Sequence, residues 1–136
     1  MRGEKLIGRL ATGIGMGKKF TRLDWARRQF LDQVGIDPYP GTINVIVDDP
    51  EFVPVWVRLK HTDGIHIDNP NDGPHECDAK CWRVTIEAGA AEIEGAIVVP
   101  LVEGYPPAQI EVIAPVCVRA AAGIEDGDSV TLILKD

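Results

Sequence analysis

Three glycines, Gly13, Gly15 and Gly17, alternate with apolar residues, and two lysines, Lys18 and Lys19, follow them directly. Glycine adopts positive φ without strain, so such a run turns successive backbone N–H groups toward one point and forms a cradle for an anion. The lysines add positive charge at one end of this cradle. The spacing fits neither the Walker loop nor the dinucleotide-binding fingerprint. An ordinary glycine-rich connection between a strand and a helix is the alternative.

Two polar residues, Thr42 and Asn44, lie two positions apart on a strand predicted over residues 42–47. Side chains with this spacing point to the same face of a strand, about 7 Å apart. Their neutral oxygens are hard ligands that suit a Mg²⁺ ion whose other ligands are phosphates and water. The alternative is that both side chains only pair with neighbouring strands or loops.

A single carboxylate, Glu111, interrupts the apolar strand predicted over residues 109–114. A carboxylate in such a strand either faces solvent or is held at a site. Because side chains alternate along a strand, Glu111 points away from Ile110 and Val112. Solvent exposure of Glu111 is therefore the default expectation, and a position held at a site is the alternative.

Histidines and cysteines are concentrated between residues 61 and 81, in the order His61, His66, His75, Cys77 and Cys81. The pattern His75-x-Cys77-x-x-x-Cys81 offers ligands for zinc, but the cysteine spacing is looser than in a zinc knuckle and no second pair follows. Ordinary buried thiols and a redox pair are the alternatives. Cys117 lies on a predicted helix, where we expect it to pack.

The elements that must position these residues follow from periodicity and turn residues. A strand is predicted over residues 5–11, and a helix after the glycine loop is capped by Thr21 or Asp24 and ends at Gly35. The apolar stripe of this helix comprises Trp25, Ala26, Phe30, Leu31 and Val34. Residues 53–59 alternate, but Pro54 leaves an edge strand and a short helix as alternatives.

The rest of the chain is predicted to be mainly strand. Strands are expected over residues 82–87, 92–99 and 130–134, a short helix over residues 115–122, and a long surface loop or hairpin over residues 60–80. Six or seven short strands without long crossover helices predict a mainly β fold. The expected architecture is a small β-barrel with one main helix and a short second helix.

Length and charge narrow the possible classes of protein. The 136 residues fit a single domain over residues 1–136. A net charge of −7 argues against a protein that coats nucleic acid or an anionic membrane, although it leaves room for a small anionic ligand. No apolar run is long enough to span a bilayer. Because the N-terminus lacks the apolar stretch of a signal peptide, we expect a cytoplasmic protein.

Several motifs occur in an order that resembles the archaeal CTP-dependent riboflavin kinases. The first two are GIGMGKKF over residues 13–20 and PYPGTINV over residues 38–45. The later ones are GAIVVP over residues 95–100, IEVIAP over residues 110–115, Val118-Arg119, and DGD over residues 126–128. The similarity extends from about residue 8 to residue 134, and only residues 60–80 stand apart.

The resemblance implies a six-stranded cradle-loop barrel that transfers the γ-phosphoryl group of CTP to the 5′-hydroxyl of riboflavin, giving FMN and CDP. Mg²⁺ would be the cofactor, held by Thr42 and Asn44. Glu111 would be the catalytic residue and would contact the flavin, as would Glu103. The nucleotide would be bound by Gly13, Ile14, Gly15, Met16, Gly17, Lys18, Val116, Cys117, Val118 and Arg119.

Two positions depart from the family pattern. Glu103 stands where the family tends to have a threonine, and Ala120 follows Arg119 where the family usually has an acidic residue. Both departures affect riboflavin specificity more than nucleotide and metal binding. A non-catalytic nucleotide- or flavin-binding module and a kinase of another small alcohol are therefore the alternative functions. The expected partners are small molecules, riboflavin and CTP.

Overall fold

The structure is a computed structural model and describes residues 1–12, 18–70 and 77–136. In these ranges seven strands are present: β1 (Lys5–Ala11), β2 (Ile43–Ile46), β3 (Ile65–Ile67), β4 (Ala79–Ala88), β5 (Ala91–Pro100), β6 (Gln109–Ile113) and β7 (Ser129–Leu134). The α-helices described are α1 (Asp24–Gln29), α2 (Val53–Lys60) and α3 (Val118–Ala122). A 3₁₀ turn (Lys18–Arg22) precedes α1, and a π-helical turn (Phe30–Val34) extends it.

The strands form one antiparallel sheet in the order β3-β4-β5-β6-β2-β1-β7. This sheet closes on itself because β4 also pairs with β7. One edge of β4 serves two partners: residues 79–81 pair with β3, and residues 84–88 pair with β7. Six strands therefore form a closed barrel, and β3 is a short edge strand attached to it. The predicted mainly β barrel with one main helix is confirmed.

Two apolar clusters hold this barrel together. The first fills the barrel interior and includes Leu6, Leu10, Val45, Val84, Ile97, Ile110 and Leu132. The second lies on the outside, where α1 and its flanking turns cover part of the sheet, and includes Phe20, Ala26, Phe30, Cys81, Val98 and Ile113. Strands between the two clusters are buried on both faces, which alternation alone does not reveal.

The main helix differs from its prediction at its N-terminal end and in its apolar stripe. Neither Thr21 nor Asp24 caps it, because Leu23 occupies the N-cap position and no side chain bonds to the first turn. Leu31, placed in the apolar stripe, is 53% exposed. The π-helical turn explains this error, since a wider turn shifts the face that each residue presents. Gly35 ends the helix with φ of 81°, as predicted.

Residues 53–59 form the short helix α2, one of the two predicted alternatives. Pro54 lies in its first turn, where a missing N–H removes no intrahelical hydrogen bond. Trp56 and Leu59 face the barrel and are buried. The predicted loop over residues 60–80 contains the short strand β3, so part of it is a hairpin arm. Among the described residues, no helix has the length and apolar character needed to span a membrane.

Candidate active site

Glu111 is fully buried, so the expectation of a solvent-exposed carboxylate was wrong. All five residues of β6 are buried, because its inner face lines the barrel and its outer face is covered as well. On the outer face, Glu111 lies between Asn44 of β2 and Val98 of β5 in the strand register. A buried carboxylate needs donors or a cation to replace its lost hydration. Its position therefore indicates a site rather than a surface.

Two hydroxyl groups donate hydrogen bonds to this carboxylate. Thr42 Oγ1 donates to Glu111 Oε1 at 2.8 Å, and Tyr105 OH donates to Oε2 at 2.7 Å. Gln109 Nε2 donates in turn to Tyr105 OH at 3.4 Å. Burial, and then the contact with Glu111, raise the pKa of Tyr105 well above its ordinary value. The phenol therefore remains a donor at neutral pH, and both carboxylate oxygens are held in place.

Asn44 presents an acceptor to the same place. Its side chain is only 9% exposed, and its Oδ1 atom is buried without a hydrogen-bond partner among the described residues. An unsatisfied buried acceptor is unfavourable by about 1–3 kcal/mol. The backbone register places Asn44 directly opposite Glu111, whose Oε1 is bonded to Thr42. The set of an amide oxygen, a hydroxyl and a carboxylate is the donor chemistry that a hard divalent cation prefers.

The segment that carries Thr42 is tied to the end of the glycine-rich loop. Thr21, 2% exposed, donates through Oγ1 to the carbonyl of Lys18 at 2.7 Å. The same oxygen accepts the backbone N–H of Gly41 at 2.8 Å. One buried hydroxyl thus holds Lys18 close to the residue that precedes Thr42. Residues Gly13, Ile14, Gly15, Met16 and Gly17, predicted to bind the nucleotide, lie outside the described residues.

The other predicted nucleotide-binding segment, residues 116–119, is linked through Asp126 to Thr12, the residue before the glycine-rich loop. Arg119 Nη2 donates to Asp126 Oδ1 at 2.6 Å, and Thr12 Oγ1 donates to Asp126 Oδ2 at 2.8 Å. These two hydrogen bonds lower the pKa of Asp126. Val118 packs in the barrel core, whereas Val116 is 43% exposed. Any contact of Val118 with a ligand would therefore be made by its backbone, and Cys117, the α3 N-cap residue, is partly buried.

A cleft of about 430 Å³ opens beside Tyr105. Its lining includes Trp56, Lys60, Lys80, Trp82, Glu103 and Tyr105. Tyr105 connects this cleft to Glu111, because the same side chain lines the one and donates to the other. Glu103, predicted to contact the flavin, is exposed and lies in the cleft lining. The structure thus brings together Thr42, Asn44 and Glu111, with Glu103 in the neighbouring cleft.

The predicted zinc ligands do not form a site among the described residues. Cys81 is fully buried in the outer apolar cluster, and burial raises the pKa of its thiol far above the ordinary value. Since it packs among apolar side chains, Cys81 is an ordinary buried thiol, one of the alternatives from the sequence. Cys77 is a free cysteine, and His75 lies outside the described residues. His66 Nε2 instead lies 3.0 Å from Asp78 Oδ2 and 3.2 Å from Asp68 Oδ1 at the surface.

Sequence reasoning missed two residues that organise the site. Tyr105 was not singled out from the sequence, yet its hydroxyl holds Glu111. Thr21 was predicted to cap a helix, yet its hydroxyl joins Lys18 to Gly41. Both contacts depend on tertiary structure, so spacing along the chain carries no signal for them.

Comparison with known proteins gives a consistent result. Residues 10–134 match the family model CTP-dep_RFKase, described as "Domain of unknown function DUF120". A riboflavin kinase of Methanocella arvoryzae is 38% identical over 128 residues, which cover 94% of this chain and 56% of that protein. A riboflavin kinase of Archaeoglobus fulgidus is 35% identical over 127 residues, covering 93% of this chain and 52% of that protein. The chain spans about half the length of these curated relatives.

Proposed function

The chain belongs to the CTP-dep_RFKase family, and on that premise we propose that it transfers the γ-phosphoryl group of CTP to the 5′-hydroxyl of riboflavin, giving FMN and CDP. The observation that carries the proposal is the fully buried Glu111, held by two hydroxyl donors next to the unpartnered oxygen of Asn44. Phosphoryl transfer requires mainly positioning and charge neutralisation from a protein. Residues 1–136 would act in this as one riboflavin-kinase-like unit.

The residues present fit the Mg²⁺ ion that such a reaction uses. Asn44 Oδ1 is a buried acceptor in need of a partner, and Thr42 Oγ1 lies in the same group of oxygens. Both would hold the ion, which when bound neutralises phosphate charge and helps to orient the transferred group. Because neither residue is charged, the site would depend on the nucleotide phosphates for much of its affinity.

Glu111 would receive the acceptor alcohol. Its oxygens accept hydrogen bonds from Thr42 and from Tyr105, and a carboxylate offers about four acceptor sites in all. The 5′-hydroxyl would donate to this carboxylate, which orients the hydroxyl oxygen for attack and accepts its proton as the bond to phosphorus forms. Since both donors are fixed by tertiary contacts, the carboxylate is pre-positioned, which favours catalysis.

The nucleotide would be held by the predicted cradle and by the segment before α3. Gly13–Gly17 and Lys18 would surround the phosphates, and Val116, Cys117, Val118 and Arg119 would line the base pocket. Two sets of contacts support this assignment. Thr21 bonds to Lys18, and Asp126 accepts hydrogen bonds from both Arg119 and Thr12. They attach both ends of the glycine-rich loop to the remainder of the proposed site.

The direct test is an assay of FMN formation. Purified protein is incubated with riboflavin, Mg²⁺ and each of the four common nucleoside triphosphates in turn, and FMN is separated by chromatography. We expect FMN with CTP and little with the others. No FMN with any donor would contradict the proposed reaction. Calorimetric binding of CDP or FMN without turnover would instead assign a non-catalytic binding module.

A further inference from the structure

A cluster of potential metal ligands lies outside the proposed phosphoryl-transfer site, beside the β3–β4 strand pair. His66 lies on β3, Asp68 follows this strand, and Asp78 immediately precedes β4. His66 Nε2 lies 3.0 Å from Asp78 Oδ2 and 3.2 Å from Asp68 Oδ1. One nitrogen and two oxygens thus lie within 4.8 Å of one another. All three residues belong to the stretch 60–80, which stands apart from the family resemblance, so the family's reaction does not explain their arrangement.

The strand pairing sets the two carboxylates against each other. Ile67 of β3 pairs with Ala79 of β4, so the next residue on either arm, Asp68 and Asp78, stand opposite. Like charges directly opposite each other on neighbouring strands are destabilising. Among the described residues, the ion-pair partner of both carboxylates is His66 alone. A cation bound between the two carboxylates would remove this repulsion.

The imidazole of His66 cannot fully satisfy both carboxylates as a hydrogen-bond donor. Its Nε2 atom carries at most one proton, and two acceptors at nearly equal distances share that proton. A metal ion would instead bond to all three atoms at once. Metal–ligand bonds of about 2.0–2.2 Å set neighbouring ligand atoms about 3.0–3.4 Å apart in octahedral or tetrahedral geometry. The observed separations of 3.0 and 3.2 Å lie in this range.

Contacts with neighbouring residues hold the cluster in place. Gln29 of the main helix bonds to both backbone groups of Asp68, since its Oε1 accepts the N–H and its Nε2 donates to the carbonyl, each at 2.8 Å. The N–H of Asn69 donates to Asp78 Oδ1 at 2.7 Å, which leaves Oδ2 directed at His66. The three side chains are between 42% and 77% exposed. An ion can therefore enter from solvent without a rearrangement of the fold.

We infer that His66 Nε2, Asp68 Oδ1 and Asp78 Oδ2 bind a first-row divalent metal ion such as Zn²⁺. An imidazole ligand favours Zn²⁺ over Mg²⁺ and Ca²⁺, which prefer oxygen ligands alone. Three protein ligands leave a further position for water. The ion would join the short edge strand β3 to β4. This site is separate from the proposed Mg²⁺ ligands Thr42 and Asn44, so the inference goes beyond the proposed function.

Calorimetric titration of the full chain with Zn²⁺, without nucleotide, tests the site. We expect one ion per chain that an excess of Mg²⁺ does not displace. Because loss of a residue behind a metal ligand commonly lowers affinity about 10–100-fold, loss of a ligand in His66→Asn or Asp78→Asn should weaken Zn²⁺ binding at least as much. His61→Asn, at an exposed histidine at the end of α2, is the matched control and should change nothing. Unchanged Zn²⁺ affinity in His66→Asn would overturn the site.

A second arm separates these ligands from a cysteine thiolate. Cys77, a free cysteine, directly precedes Asp78. Cys77→Ser should leave Zn²⁺ affinity unchanged, whereas its loss would place the ion on the thiol and overturn the proposed ligands. Co²⁺ in place of Zn²⁺ gives a spectroscopic readout. We expect its ligand-field bands without the intense sulfur-to-cobalt absorption that a thiolate ligand would add.

Hydrogen exchange reports the proposed effect on the edge strand. Because a bound ion stabilises the state that binds it, the amides of Ile65–Ile67 should exchange at least about threefold more slowly in saturating Zn²⁺ than in chelator. This protection should be absent in His66→Asn. Unchanged exchange of β3 with saturating Zn²⁺ would contradict binding at the strand pair. FMN formation by a chain that binds no Zn²⁺ would overturn this site alone and leave the proposed kinase in place.

Discussion

Replacement of Asn44 by leucine separates the functional role of this residue from a structural one. Leucine has a similar branched shape, is somewhat larger and has no polar atoms. In the native protein Asn44 Oδ1 is buried and has no hydrogen-bond partner in the part of the chain that the structure describes, so the folded state bears a desolvation penalty of about 1–3 kcal/mol. Asn44→Leu removes that penalty. We therefore expect the variant to be more stable than the native protein in the absence of divalent ions.

The size of the gain follows from the burial. With the side chain 9% exposed, imperfect packing of the larger leucine offsets part of the gain, which leaves about 1 kcal/mol. For a chain of this length that corresponds to a rise in Tm of roughly 3–5 °C. Activity should move in the opposite direction. Loss of residues behind a metal ligand commonly lowers activity about 10–100-fold, so loss of a ligand should lower FMN formation by at least about 100-fold.

Two measurements test this pair of effects. Thermal unfolding in chelator gives the stability of both proteins, and a repeat with Mg²⁺ and CDP gives the stabilisation by ligand, which Asn44→Leu should lose. Gln33→Leu replaces an exposed amide on the π-helical turn and should change neither Tm nor activity noticeably. A fall in stability by more than about 1 kcal/mol in chelator would show that Oδ1 has a partner after all. Retained activity would refute the role of Asn44 as a ligand.

Three further perturbations have clear expected outcomes. Tyr105→Phe removes a hydrogen bond to a buried carboxylate, worth about 1.5–3 kcal/mol, so kcat/KM for riboflavin should fall about 10–100-fold; a change below twofold in initial rates would contradict this. Arg119→Gln should raise the lowered pKa of Asp126 toward 3.8, as followed by NMR titration. Because that pKa is depressed in the folded state, the stabilising contribution of Asp126 is present above pH 4 and is lost as the pH falls through the folded-state value. Gly8→Ala should lower the free energy of unfolding by about 1–3 kcal/mol in urea, since a Cβ there would lie 2.2 Å from the Ile46 carbonyl oxygen; an unchanged midpoint would show that β1 and β2 can move apart.

Local patterns predicted most of the fold correctly. Alternation along β1 puts Leu6 and Leu10 on the same face of the strand, and both are buried. Gly35 ends the main helix with positive φ, as its position indicated, and Gly123 ends α3 in the same way. The sequence did not decide between a helix and an edge strand for residues 53–59, because Pro54 is compatible with the first turn of a helix as well as with an edge strand. Such cases are decided by tertiary packing, here by the burial of Trp56.

The candidate site was harder to predict than the fold. Alternation assigned Glu111 to a solvent-exposed face, but that rule holds only where one face of a strand is open to water. Because both faces of β6 are covered, its polar residue Glu111 is buried as well. The hydrogen bond from Tyr105 to Glu111 connects residues that are six positions apart and separated by a turn. The resemblance to a family predicted the residues Thr42, Asn44 and Glu111, whereas their contacts required the structure.

The way the barrel closes has a consequence for how the protein folds. The ring closes where β7 pairs with both β1 and β4. The pairing of β1 with β7 joins strands that are more than a hundred residues apart in the chain. Contacts of such long sequence separation form slowly. The strands β2 and β6 lie in the middle of the sheet, away from this seam. Among the six strands of the ring, hydrogen exchange should therefore be fastest along the β4–β7 seam and slowest at β2 and β6, so that local opening of the ring leaves the surroundings of Glu111 intact.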